Sequence, residues 1–345
     1  MDEGVKGMII FGVVLTVSVG FLIVKKLRTR AGHNDLRPTD VDPRAQQVRQ
    51  ALAAGQPMAL VGFLQSLGPD WDARAFYLEH LVTFCTRESL DALCAQQPSP
   101  IALLVRGCHA VKWAWEARGS GSADSVSESA RQLFQQRLAL AERDLSMAAQ
   151  ADPADPTTFA NLITVAKAMG APREVALNHF NAATARQPDH YLAHEQMRSY
   201  LSRRWHGSDE EMLGFVRHRV ASAPPGSDLP MLIVQAHLDV WSYIHTFEDN
   251  AQHAMQYLMH PAIRQEIQGA YAQSLGGPCR VRASTVHYRN AAAFAFFLLQ
   301  DVPMARLEHE RIAGAYAEYP WVYFRSGEQE TGDVVATSRL VAGLR

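Results

Sequence analysis

The chain has 345 residues, enough for one large domain or two ordinary ones. Its 33 Lys and Arg against 35 Asp and Glu give a formal charge of −2, which excludes the general basic field that nucleic-acid binding needs. The four cysteines, Cys85, Cys94, Cys108 and Cys279, make no C-x-x-C pair, so the thiols are read as reduced and mostly buried.

Residues Gly7–Val24, "GMIIFGVVLTVSVGFLIV", carry no charge. As a helix they would run roughly 27 Å, close to a hydrocarbon core of about 30 Å. Ile9, Ile10, Phe11, Val14, Leu15, Phe21, Leu22 and Ile23 supply the apolar surface. Lys25, Lys26, Arg28 and Arg30 follow the run, while only Lys6 precedes it. The slightly acidic start is not that of a cleaved signal peptide. The expectation is a retained single-pass anchor over residues 1–30, in the cell inner membrane. Its N-terminus lies outside, its C-terminal domain is cytoplasmic, and the basic flank touches lipid.

Residues 31–43, "AGHNDLRPTDVDP", read as a linker. From Arg44 onward Ala, Leu, Gln, Glu and Arg dominate and no alternating strand pattern persists, so the fold class is all-α. Residues 44–118 form an N-terminal helical region. The Ser- and Gly-rich stretch 117–129 separates it from a second helical region, 127–325. Residues 326–345 show no core pattern and read as an irregular tail.

The middle of the chain carries the clearest periodicity. In "DPTTFANLITVAKAMG", Phe159, Leu162, Ile163, Ala166 and Met169 fall on one helical face. Pro172 opens a second helix with Val175, Ala176, Phe180 and Ala183. Pro156 to Pro188 spans 32 residues and Ala148 to Ala182 spans 34. Paired helices at this period resemble the tetratricopeptide repeat, best over about 130–202. That resemblance implies an α-solenoid of stacked helical hairpins. A second stretch, "SYLSRRWHGSDEEMLGFVRHRVASAPPGSDLPMLIVQAHLDVW", resembles an uncharacterised bacterial family of helical-repeat proteins. It implies bacterial origin and a hairpin scaffold, with no activity attached.

Trp205-His206-Gly207-Ser208-Asp209-Glu210-Glu211 looks like a site and also like a helix start. Ser208 and Glu211 have capping-box spacing, and the acids suit the first turn. The functional reading is a ligand loop built on Trp205 and His206. His190 and His194 are spaced i, i+4, as are His245, Asp249 and His253, but neither set shows a complete metal-ligand pattern. Cys279 beside Arg280 and Arg282 could be a reactive thiol with His287 as base. Residues 291–299, "AAAFAFFLL", are too short to span a membrane and read as a central core helix. "AEYPWVYF" clusters Tyr319, Trp321 and Tyr323, read either as core closure or as a partner-binding patch.

No G-x-S-x-G, P-loop or dinucleotide fingerprint occurs, so no catalytic, cofactor or metal residue is assigned and an enzyme is not expected. The functional expectation is a membrane-anchored helical-repeat scaffold that binds a protein partner at the cytoplasmic face. The alternatives are an enzyme or small-ligand binder with a His- and Trp-lined interhelical pocket, and an extracytoplasmic assembly factor.

Overall fold

Most helix starts are set by a short polar side chain. Asp42, Asp70, Thr86, Ser99, Ser127, Asp155 and Ser208 each accept a first-turn backbone N–H, satisfying a donor that has no partner within the helix. Pro43, Pro100 and Pro156 follow such caps, where a missing donor costs nothing. The structure, a computed structural model, describes residues 37–119, 126–324 and 330–344. These hold sixteen α-helices and no strand.

The chain divides into two compact units. The first comprises Thr39–Pro224 with Arg282–Ser284. Its helices are α1 (Pro43–Ala53), α2 (Met58–Ser66), α3 (Trp71–Leu81), α4 (Arg87–Gln96), α5 (Pro100–Arg118), α6 (Glu128–Ala151), α7 (Pro156–Met169), α8 (Arg173–Arg186), α9 (Tyr191–Tyr200) and α10 (Asp209–Ala221). The second is built from Pro225–Val281 and Thr285–Arg345. It holds α11 (Met231–Thr246), α12 (Ala251–Met259), α13 (Pro261–Gln273), α14 (Thr285–Leu298), α15 (Val302–Ile312) and α16 (Thr331–Val341). The boundary thus falls at Pro224 and Pro225, not at the Ser- and Gly-rich stretch near 120.

The all-α expectation holds, but its membrane part is corrected. Among the described residues no helix is long and apolar enough to cross a membrane. The longest candidates are built for packing against other helices: α5 carries Arg106, Lys112 and Glu116 along its length. The run 7–24, with Ile9 to Ile23 and the cations Lys25 to Arg30, lies outside the described residues.

In the first unit, α5 and α6 form the main hairpin. Phe134, Leu138, Ala141, Leu145 and Ala148 recur along one face of α6 and are buried. Gly107 lets the two helices meet closely, since a Cβ there would lie 2.7 Å from Leu145 Cγ. Arg106 forks onto the sealed carboxylate of Asp144 at 2.7 and 2.9 Å. Arg74 and Asp155, both nearly sealed, pair at 2.8 Å. Removing either partner of such a buried pair costs about 3–5 kcal/mol, because the other charge is stranded. Next, α7 packs on α8 and also on α9, and α8 packs on α9, so each hairpin abuts the following helix. This order is compatible with a helical-repeat solenoid.

One detail of the α7–α8 hairpin differs from the periodic reading. Leu162, Ile163 and Ala166 are buried, but Met169 is 45% exposed and Val175 is also open. The core face is rotated toward Thr157, Ala160 and Ala183, small residues that allow close helix approach. Pro172 is the N-cap of α8 and not its first helical residue.

In the second unit, α14 is the central helix, with Tyr288, Phe294 and Phe296 sealed. Its buried Asn290 pins the segment after α15. The Asn290 amide donates to the carbonyls of Val286 and Ala315, and its Oδ1 accepts from Ala317 N and Trp321 Nε1. The sealed Glu308 carboxylate gathers Arg289, Arg311 and the Tyr271 hydroxyl at 2.6 to 3.0 Å. The tail is corrected from irregular to helical. In α16, Val334, Val335, Thr337 and Ser338 are buried, and a capping box of Glu330 and Asp333 starts it.

Candidate functional site

The loop between α9 and α10 carries the motif that drew most attention in the sequence. Its backbone is held by close turns: Gly207 N donates to Ser202 O and His206 N to Tyr200 O. A Cβ at Gly207 would lie 2.2 Å from Leu201 O, so only glycine fits. Ser208 caps α10 by accepting from Glu211 N at 3.1 Å. The Glu211 carboxylate pairs with Arg173 of α8 at 2.7 Å, tying the loop to the repeat hairpin.

Trp205 is half-buried. It meets Trp115 edge to face at 5.8 Å, and Lys167 Nζ stands 5.1 Å over its ring. Lys167 is buried and donates to Gln196 Oε1 and Ser199 Oγ, both at 2.9 Å. His206 donates from Nε2 to the Lys167 carbonyl at 2.8 Å and leans on Tyr200. The arrangement places an ammonium between two hydroxyl- and amide-type acceptors and an aromatic face, which stabilises a buried cation. Trp205 and His206 are therefore brought together, on the same turn of backbone.

The aromatic segment of the second unit divides. Trp321 is sealed in the core, bonded to Asn290 and stacked on His309 at 5.6 Å. Tyr319 and Tyr323 are half-buried, meet edge to face at 5.9 Å, and Tyr319 donates to Asp239 Oδ1 at 3.4 Å. Trp321 thus closes the core, while the two tyrosines line its rim.

The histidine pairs separate by environment. His190 and His194 are fully buried at the start of α9, and the His194 Nδ1–H donates to the His190 carbonyl. Burial pushes the His194 pKa down to about 4, so it is neutral. His245 ends α11, stacked on Trp241 at 5.0 Å, whereas His253 starts α12 beyond the Asn250 cap, beside Glu248. Cys279 accepts from the Ser274 hydroxyl at 3.7 Å, and Arg282 is spent on Asp72 and Asp189. None of the four cysteines forms a disulfide, and burial pushes the Cys85 thiol up to about 12.

A feature not singled out in the sequence lies on α6. Leu133, Leu140 and Met147 recur every seven residues beside the core face. Leu133 is 38% exposed, Met147 46%, and Leu140 is half-buried. The signal was readable as heptad spacing, but the stronger row through Phe134, Leu138 and Leu145 masks it. In comparisons with known proteins, no family model, no curated protein and no solved structure matches the chain.

Proposed function

We propose that the chain is a helical-repeat interaction protein, akin to tetratricopeptide-type scaffolds, that holds a protein partner on the hairpins of its first unit. The observation that carries this reading is the row Leu133, Leu140 and Met147. Seven residues on a helix advance about 10.5 Å and return to nearly the same side. Apolar residues at that spacing form the seam along which another helix packs. Fully burying an exposed side chain is worth about 1.5–3 kcal/mol, and covering what remains open of these three is worth a fraction of that at each site. The succession of α5 to α9, each hairpin abutting the next helix, supports the same reading, because stacked repeats present extended outer faces.

The test uses the full chain as bait in native extract, beside a variant with Leu133→Glu, Leu140→Glu and Met147→Glu. Leu133 and Met147 are exposed and Leu140 is half-buried, so the double variant Leu133→Glu, Met147→Glu, which should keep its melting temperature, is run beside the triple one. Wild type is expected to capture at least one protein whose recovery drops about tenfold with the variant, which corresponds to about 1.4 kcal/mol. Capture of the same set by both forms, or of nothing above control, overturns the reading.

A further inference from the structure

The row Leu133, Leu140 and Met147 has a charge pattern around it. At three or four positions from these residues along α6, the charged side chains are Arg137, Arg143 and Asp144. Such positions border the row, because neighbours on a helix surface lie three and four apart. Asp144 is fully sealed, whereas the Arg143 side chain is 55% exposed. At the surface the row is therefore flanked by cations.

Those cations are not neutralised by their neighbours. Asp144 accepts from Arg106 and Arg143, and Asp91 accepts from Arg87 and Arg106. Three guanidinia thus share two carboxylates, which leaves one positive charge over. Arg143 is the most open of the three and carries that charge to solvent. Arg137 adds another. Its Cζ lies 3.6 Å over the Trp113 ring, and its Nη1 donates to the Trp113 carbonyl. Glu116 acts on it through space, but no carboxylate among the described residues forms an ion pair with it.

A second copy of the chain fits this row poorly. A two-fold pairing of α6 with itself presents the same patch from both sides. Run antiparallel about Leu140, it sets Leu133 against Met147 and Arg137 against Arg143. Run parallel, it sets each arginine beside its own copy. Both arrangements juxtapose like charges, which specific interfaces avoid. A different helix with acids at the flanking positions removes that conflict and adds attraction.

On the docking reading of this row, we propose that its occupant is an amphipathic helix of another protein whose apolar seam is bordered by Asp and Glu. The seam covers Leu133, Leu140 and Met147, and the acids meet Arg137 and Arg143. The charged rim stays solvated, so its share of the binding weakens with salt.

Two helical peptides of about three heptads test this on the full chain by fluorescence anisotropy. Both carry Leu at heptad spacing; one has Glu on each side of that seam and the other has Lys. The Glu peptide is expected to bind about tenfold tighter at about 50 mM salt, and the ratio should fall toward one at about 500 mM. Arg143→Gln should cut the ratio about threefold with the melting temperature unchanged, since Arg106 still answers Asp144. A ratio that Arg143→Gln leaves alone overturns the assignment to these arginines. Leu133→Gln with Met147→Gln should abolish binding of the Glu peptide. Equal binding of both peptides, lost in that double variant, overturns the acidic partner and leaves the docking row standing. Glu-peptide binding that survives the double variant puts the recognition elsewhere and overturns the inference. A dimer in sedimentation that the double variant dissolves also overturns it, because a second copy then covers the row. If neither peptide binds, the inference fails, and capture from extract alone decides the row.

Discussion

His237 and His309 are bonded in the same pattern, each with Nδ1 at a tyrosine hydroxyl and Nε2 at an oxygen of another helix. Their surroundings differ. His309 is stacked on the sealed Trp321, and its tyrosine partner also accepts from Arg339 at 3.3 Å. Burial, and then the nearby Arg339 charge, push the His309 pKa down to about 4. His237 is as deeply set, but its partners reach the surface. One geometry therefore serves two ends. Sealed at every member, it fastens α15 to α16. With two members half-buried, it ties α11 to α12 and α13.

The widest separation between the two should come from removing the ring. His309→Ala leaves a cavity and takes a partner from the buried Ser338 and Tyr316 hydroxyls, at a cost of about 3–5 kcal/mol. His237→Ala also leaves a cavity, but its partners are half-buried, so it should cost about 1–2 kcal/mol less. Urea unfolding of both variants checks this; equal losses would erase the distinction between a sealed and an open row.

Acid should act on the sealed member next. An unfolded histidine titrates near 6.5, and folded His309 near 4. The folded pKa is depressed, so the unfolded chain takes up the proton first as pH falls. The stabilisation is complete above about pH 6.5 and is lost on descent through about pH 4, a change on the order of 3 kcal/mol. His194 contributes a slope of the same sign, so the informative quantity is the difference between wild type and His309→Gln. Urea midpoints at pH 7.5, 5.5 and 4.5 should converge for the two proteins as pH drops. Parallel curves would mean that His309 carries its proton in the folded state.

These rows were not legible in the sequence, and the reason is specific. His237, Tyr257 and Glu266 come from three helices, and their meeting depends on how those helices rotate against one another. Histidine spacing within one helix was legible, and it drew notice to His190 and His194, which are core residues. What could be read locally is found: α8 starts one residue after Pro172, and Ser208 caps α10. Core closure was one of the two readings of the segment around Trp321, and what decides for it is Asn290, 31 residues away. The helix α16 was missed because its buried face mixes Val334 and Val335 with Thr337 and Ser338, which pack by hydrogen bonds as much as by apolar area.

The smallest contrast is also the most direct, because it deletes one oxygen from each row. Tyr316 is bonded to His309 Nδ1 and accepts from Arg339, so Tyr316→Phe leaves a buried ring nitrogen without its partner. The cost should be about 1–2 kcal/mol. Tyr257→Phe leaves the same kind of nitrogen, but at a half-buried site where solvent can replace the hydroxyl. Its cost should stay within about 0.5 kcal/mol. Urea unfolding of the pair at pH 7.5 measures the difference. A Tyr257→Phe loss as large as that of Tyr316→Phe would mean that the first row is sealed after all.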